Sequence, residues 1–129
     1  MTSVFDHPWL SGLFADEAIG ALWSADAQLK HMIAFEAAWS RNGHLAGLWP
    51  EAEGALAAAA IEKMQLAPED LRDGTAQDGV CVPALVQLLK DRSGAEAIHT
   101  GATSQDVIDT AIAGKPRKRP SMAAATVPE

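Results

Sequence analysis

The sequence predicts an all-α fold. Three observations carry that expectation. Alanine supplies much of the 48% apolar content while β-favouring aromatics are scarce, with no Tyr and three Phe. Apolar residues recur at helical rather than alternating spacing, and several of the segments they form open on good caps. At 129 residues the chain is long enough for one modest domain with its own core and too short for two.

Taken in order, residues 1–23 begin with an irregular lead-in, Phe5-Asp6-His7-Pro8-Trp9. Leu10, Leu13, Phe14, Ile19, Leu22 and Trp23 then give a short helical segment its apolar side chains. His7 precedes a proline, which biases it towards extended backbone and makes it a turn residue. Ser24 is a good N-cap with Asp26 in the first turn, and the best helix runs from about Ala25 to Arg41, with Asn42-Gly43 as its stop. Its apolar stripe holds Leu29, Met32, Ile33, Ala37, Phe35 and Trp39, and Glu36 sits among them. That carboxylate reads either as a general base or as a partner for Arg41 or a neighbouring helix, the pairing being commoner.

Pro50, Glu51 and Glu53 suit the start of a further helix, whose run from Ala55 to Leu66 puts Leu56, Ala59, Ala60, Ile61 and Met64 on one face. Its four consecutive alanines point to close helix packing. Pro68–Leu71 reads as a helical turn, and Arg72–Gly79 as a polar loop. Val80–Val82 has strand propensity, but Pro83 near a helix start, followed by Leu85, Val86, Leu88 and Leu89, favours a helix ending around Ser93-Gly94. A loop from Ala95 to Ala102 leads to a last helix that begins at Ser104 or Gln105, carries Val107, Ile108, Ala111 and Ile112, and stops at Gly114.

From residue 114 the character changes. Residues 1–114 hold six Lys/Arg against sixteen Asp/Glu, a charge of −10, whereas 115–129 hold four Lys/Arg against one Glu, +3. The expected division is therefore a helical domain over 1–113 and a basic, Pro-rich, disordered tail over 114–129. An acidic body argues against nucleic acid as a partner, and four charges on a tail are weak support for it. No run approaches the roughly eighteen apolar residues of a membrane span, and no signal-peptide layout opens the chain, so the expected address is the cytoplasm. Cys81 is alone and His7, His31, His44 and His99 form no ligand cluster, so no structural metal is expected.

The chemistry concentrates at 98–113. Thr103 and Asp106 fit a capping box, in which the hydroxyl takes an orphan amide and the acid reaches back. A helix start offers unpaired N–H groups and positive potential to a carboxylate or phosphate. Thr103 and Ser104 add hydroxyls, Gln105 an amide and His99 an imidazole. By itself the pattern also fits an ordinary cap.

His99-Thr100-Gly101-Ala102-Thr103-Ser104-Gln105-Asp106-Val107-Ile108-Asp109-Thr110-Ala111 closely resembles the first signature region of the fumarase/aspartase/adenylosuccinate lyase superfamily. Its Gly-Ala-Thr-Ser-Gln-Asp wording is most similar to the 3-carboxy-cis,cis-muconate cycloisomerase branch, with adenylosuccinate lyases next. Phe35-Glu36-Ala37-Ala38, Gly47-Leu48-Trp49-Pro50-Glu51-Ala52 and Pro83-Ala84-Leu85-Val86 are also similar in order and spacing. The resemblance covers residues 5–113, the superfamily's N-terminal helical domain, truncated before the central helical bundle.

It implies a cofactor-free homotetramer that associates through its helices, with composite sites built from three signature regions of three subunits. The implied substrate is a small polycarboxylate, and the implied reaction in the first branch is lactonisation of a muconate tricarboxylate in protocatechuate degradation, part of aromatic catabolism. His99, Thr103, Ser104 and Gln105 become substrate-binding residues, with Asp106 as cap support. The second signature with its acid histidine and the third with its Met-Pro-x-Lys loop are absent, so the resemblance puts no catalytic residue in this chain and implies that it is inactive alone. An adenylosuccinate lyase-like fragment and a non-catalytic helical interaction module are the alternatives.

Overall fold

The computed structural model describes residues 3–114, in the order α1 (Ser11–Phe14), α2 (Glu17–Leu22), α3 (Ala25–Asn42), α4 (Glu51–Glu62), α5 (Arg72–Asp78), α6 (Val82–Ser93) and α7 (Ser104–Ala113). Short 3-10 turns at Gly43–Ala46 and Pro68–Leu71 complete it, and every regular element among the described residues is helical. The expected disordered tail lies outside the described residues.

The centre of the fold is α3, which packs against α4 and α7. Its start is set by Ser24, whose hydroxyl accepts from the Ala27 amide at 3.2 Å. Leu29, Met32 and Ala37 are buried and Ile33 and Phe35 pack beside them. Their partners include Ile61 of α4, Leu85 and Leu89 of α6, Ile98 in the loop, and Val107 and Ala111 of α7.

Ile61 is buried as expected, but α4 buries Gly54, Ala57 and Ala58 with it and leaves Leu56 73% exposed. Small residues win this face because the two backbones approach closely. A Cβ on Gly54 would run into the Ser40 carbonyl and the Trp49 indole, and one on Gly43 would meet the same ring. The indole is pinned there, with its Nε1–H donating to the Ser40 carbonyl at 2.8 Å. The alanine run thus serves close packing, as expected, but through Ala57 and Ala58. The helix also ends at Glu62, so Met64 and Leu66 pack from the segment that follows.

A second correction concerns 72–78, expected as a polar loop and folded as α5. No residue of α5 is buried. What holds it is local: the Thr75 hydroxyl donates to the Leu71 carbonyl at 2.6 Å, and Gly74 lets the helix sit against Ala84 of α6. Helix, not strand, begins at Val82, with Pro83 in the first turn and Gly94 in left-handed conformation at the end. Cys81 is half-buried, its Sγ 3.8 Å from Met32 Sδ.

The N-terminal arm contributes less to the core than its composition promised. Trp9 is 76% and Leu13 74% exposed, and Phe5, Phe14 and Ile19 are also exposed. His7 stands edge-on to Trp9, with ring centroids 4.2 Å apart, in the expected turn. Among the described residues no helix is long and apolar enough to cross a membrane.

Candidate functional site

The connection from α6 to α7 is held from beneath. Ala97 and Ile98 are buried, so the chain enters the loop anchored in the core. The Thr100 amide then donates to the Ile98 carbonyl at 2.8 Å, closing a three-residue γ-turn with His99 at its centre. His99 has φ +64°, which no other non-glycine among the described residues shares in sign. Such backbone costs about 1–3 kcal/mol and persists where the surroundings over-determine it. Here α3 supplies that constraint. Trp39 Nε1–H donates to the Thr100 carbonyl at 3.0 Å, and Phe35 stacks on Trp39 at 5.9 Å. Gly101 has φ +82°, a Cβ added there would reach Leu48 and Trp39 at ordinary contact distance, and an apolar cleft of about 410 Å³ lined by Phe35, Trp39, Leu45 and Leu48 lies on that side of the loop.

The second constraint is a buried contact between a carboxyl group and an imidazole. Glu36 Oε1 lies 2.7 Å from His99 Nδ1, with the Glu36 side chain wholly buried and that of His99 19% exposed. Burial pushes the Glu36 carboxyl above its ordinary value, partly offset by the charge and hydrogen bond of His99 and by the charge of Lys90. Oε2 is buried without a partner, and so is the Ser40 hydroxyl one turn along α3. The pairing expected with Arg41 goes elsewhere: Arg41 binds Glu62 at 2.7 Å on the surface. Glu36 therefore belongs to the loop, and the only mark it left in the sequence was a carboxylate inside an apolar stripe.

At the helix start the capping box forms as expected. Thr103 Oγ1 donates to Asp106 Oδ2 at 2.8 Å and accepts from the Asp106 amide at 3.3 Å, while Asp106 Oδ2 also accepts from the Thr103 amide at 2.8 Å. These donors hold the Asp106 carboxyl below its ordinary value. Its negative charge thus already meets the positive end of α7. Gln105 Nε2 donates to Asp109 Oδ1 at 2.6 Å. Of the four expected binding residues, then, Thr103 and Gln105 are engaged within the cap and helix, Ser104 is partly buried with no side-chain hydrogen bond among the described residues, and His99 keeps Nε2 unbonded.

No family model matches the chain. Over 92 residues, 71% of this chain, it is 33% identical to an adenylosuccinate lyase of Archaeoglobus fulgidus. Over 110 residues, 81% of this chain, it is 34% identical to a 3-carboxy-cis,cis-muconate cycloisomerase of Bradyrhizobium diazoefficiens. The similarity is to the fumarase/aspartase superfamily. The matches cover 20% and 24% of those proteins, so the chain spans about a fifth to a quarter of the curated relatives' length. An all-helical chain with a capped helix after a pinned loop is consistent with the superfamily's N-terminal helical domain.

Proposed function

We propose that this chain is the substrate-holding N-terminal part of a superfamily enzyme, a 3-carboxy-cis,cis-muconate cycloisomerase type first and an adenylosuccinate lyase type second. The observation that carries the reading is the conjunction of two features: similarity to both kinds of enzyme, and a strained loop that holds a largely buried imidazole beside a helix start. A substrate carboxylate would be met by His99 Nε2, the Ser104 hydroxyl and the first amides of α7, which are preorganised donors for developing charge. Thr103 and Gln105 contribute after rearrangement of their present bonds, and Asp106 maintains the cap. The remaining site regions come from other subunits of a homotetramer, acting in the cytoplasm without a cofactor, and the chain alone binds without turnover.

The test is titration of the purified chain with 3-carboxymuconate and with adenylosuccinate, followed by amide NMR and a parallel turnover assay. Expected are saturable shifts centred on His99 and Ser104 with no product. Shifts elsewhere would remove the site, and turnover at an enzyme-like rate would remove the claim of inactivity. A helical interaction module is the second reading, favoured by the exposed apolar side chains of residues 4–23. Binding of neither acid, together with a stable complex through that arm, would favour it.

A further inference from the structure

A wholly buried carboxylate on an otherwise apolar helix face needs a reason, because an unpaired charge there is costly. The surroundings narrow it. The residues that α4 and α7 bury are Gly54, Ala57, Ala58 and Ile61, and Val107 and Ala111, none of them ionisable. Among the described residues two charged groups lower its carboxyl, His99 from the loop in direct contact and Lys90 from α6, itself 3.9 Å from Glu96 Oε2, while Asp106 at the start of α7 feels the charge of His99. His99 Nε2 makes no hydrogen bond among the described residues and is not among the buried polar atoms without partners. One ring nitrogen is thus tied to the core while the other reaches the surface.

We propose that Glu36 is the positioning residue of this loop: it fixes the Nδ1 proton of His99, and the pair's net charge decides whether Nε2 faces a ligand as donor or acceptor. The proton count is simple. With two protons the pair is neutral, and Nε2 carries an N–H whether the shared proton sits on Nδ1 or on Oε1. With one proton it stays on Nδ1, the pair is anionic, and Nε2 presents a lone pair. The neutral form accepts a carboxylate at the loop, and the anionic form repels one. This specifies how the anion-binding reading above is regulated and rests on that reading for its meaning, but not for its measurement.

The experiment is imidazole 15N and Glu36 carboxyl 13C NMR of the full chain across pH, with the stable tricarboxylate tricarballylate as probe. In the wild type the His99 nitrogens and the Glu36 carboxyl should titrate together as one coupled pair. In the singly protonated form the proton should be on Nδ1. Glu36→Gln keeps a carbonyl acceptor, so the tautomer should persist while the coupled carboxyl signal vanishes. Glu36→Leu should lose the tautomer preference. Tricarballylate affinity should fall by about ten-fold per pH unit above the pair's last step, as expected for one proton held on binding. That fall should be retained in Ser40→Ala, which removes only the neighbouring hydroxyl, and should move to a different pH in Glu36→Gln.

A wild-type Nε2–H tautomer in the singly protonated form, or independent titration of the two groups, overturns the proposal. Both readouts come from the wild type, so a variant that fails to fold leaves them intact. Coupled titration without tricarballylate binding would reject the anion-binding reading and keep Glu36 as the positioning residue. Binding with no pH dependence would reject the switch.

Discussion

At the scale of single residues, the Glu36–His99 pair sets the expected pH behaviour. Burial raises the Glu36 carboxyl, so the folded chain holds that proton more tightly than the unfolded chain. Its contribution to stability is full below the ordinary carboxylate range and is lost as pH rises through the raised folded value. Asp106 works in the opposite sense. Its carboxyl is lowered by the Thr103 amide and hydroxyl, so its contribution is present above the ordinary aspartate range and is lost as pH falls through the lowered value. Urea unfolding across pH should show both slopes; Glu36→Gln should remove the first and Asp106→Asn the second. His99→Ala is the harsher change, because it leaves a buried carboxylate with no partner. It should cost about 3–5 kcal/mol, the range for breaking a buried pair, and exceed Glu36→Gln in the same unfolding assay.

At the scale of elements, the close contact of α3 and α4 is the feature least tolerant of added volume. Gly54→Ala must displace either the Ser40 carbonyl or the Trp49 ring, and should cost about 1–3 kcal/mol, read as a lower urea midpoint. Elements with chemical punctuation were legible in the sequence: Ser24 and Asn42-Gly43 bracket α3, Pro83 and Gly94 bracket α6, and Thr103 with Asp106 starts α7. Those without it were not. In α4 every residue from Ala55 to Ile61 is apolar, so the pattern could not say that Ala57 and Ala58 face inward while Leu56 faces out. In α5 nothing is buried and Gly74 argues against helix; the element exists because the turn before it and Ala84 beside it hold it. The site was legible as a loop and a cap. Its deepest member, Glu36, lies 63 residues from His99, and no local spacing connects them.

At the scale of the whole molecule, the described body combines net negative charge with an unusually apolar arm. Val4, Phe5, Trp9, Leu13, Phe14, Ile19 and Trp23 are each at least 44% exposed, enough to act as an association surface. The chain should therefore bind an apolar dye when folded and shift to larger species in size-exclusion chromatography as its concentration rises. Trp9→Glu with Leu13→Glu should reduce both; a monomer that ignores dye and concentration would count against an adhesive arm. The tie between Trp39 and the Thr100 carbonyl has a further, optical consequence. Trp39 is hydrogen-bonded to the His99 loop through the Thr100 carbonyl, while Trp49 binds the Ser40 carbonyl. The emission wavelength of Trp39 is therefore a native gauge of loop position. In a background where Trp9, Trp23 and Trp49 are replaced by Phe, a single unlabelled chromophore would register, in real time, the arrival of a ligand at the loop.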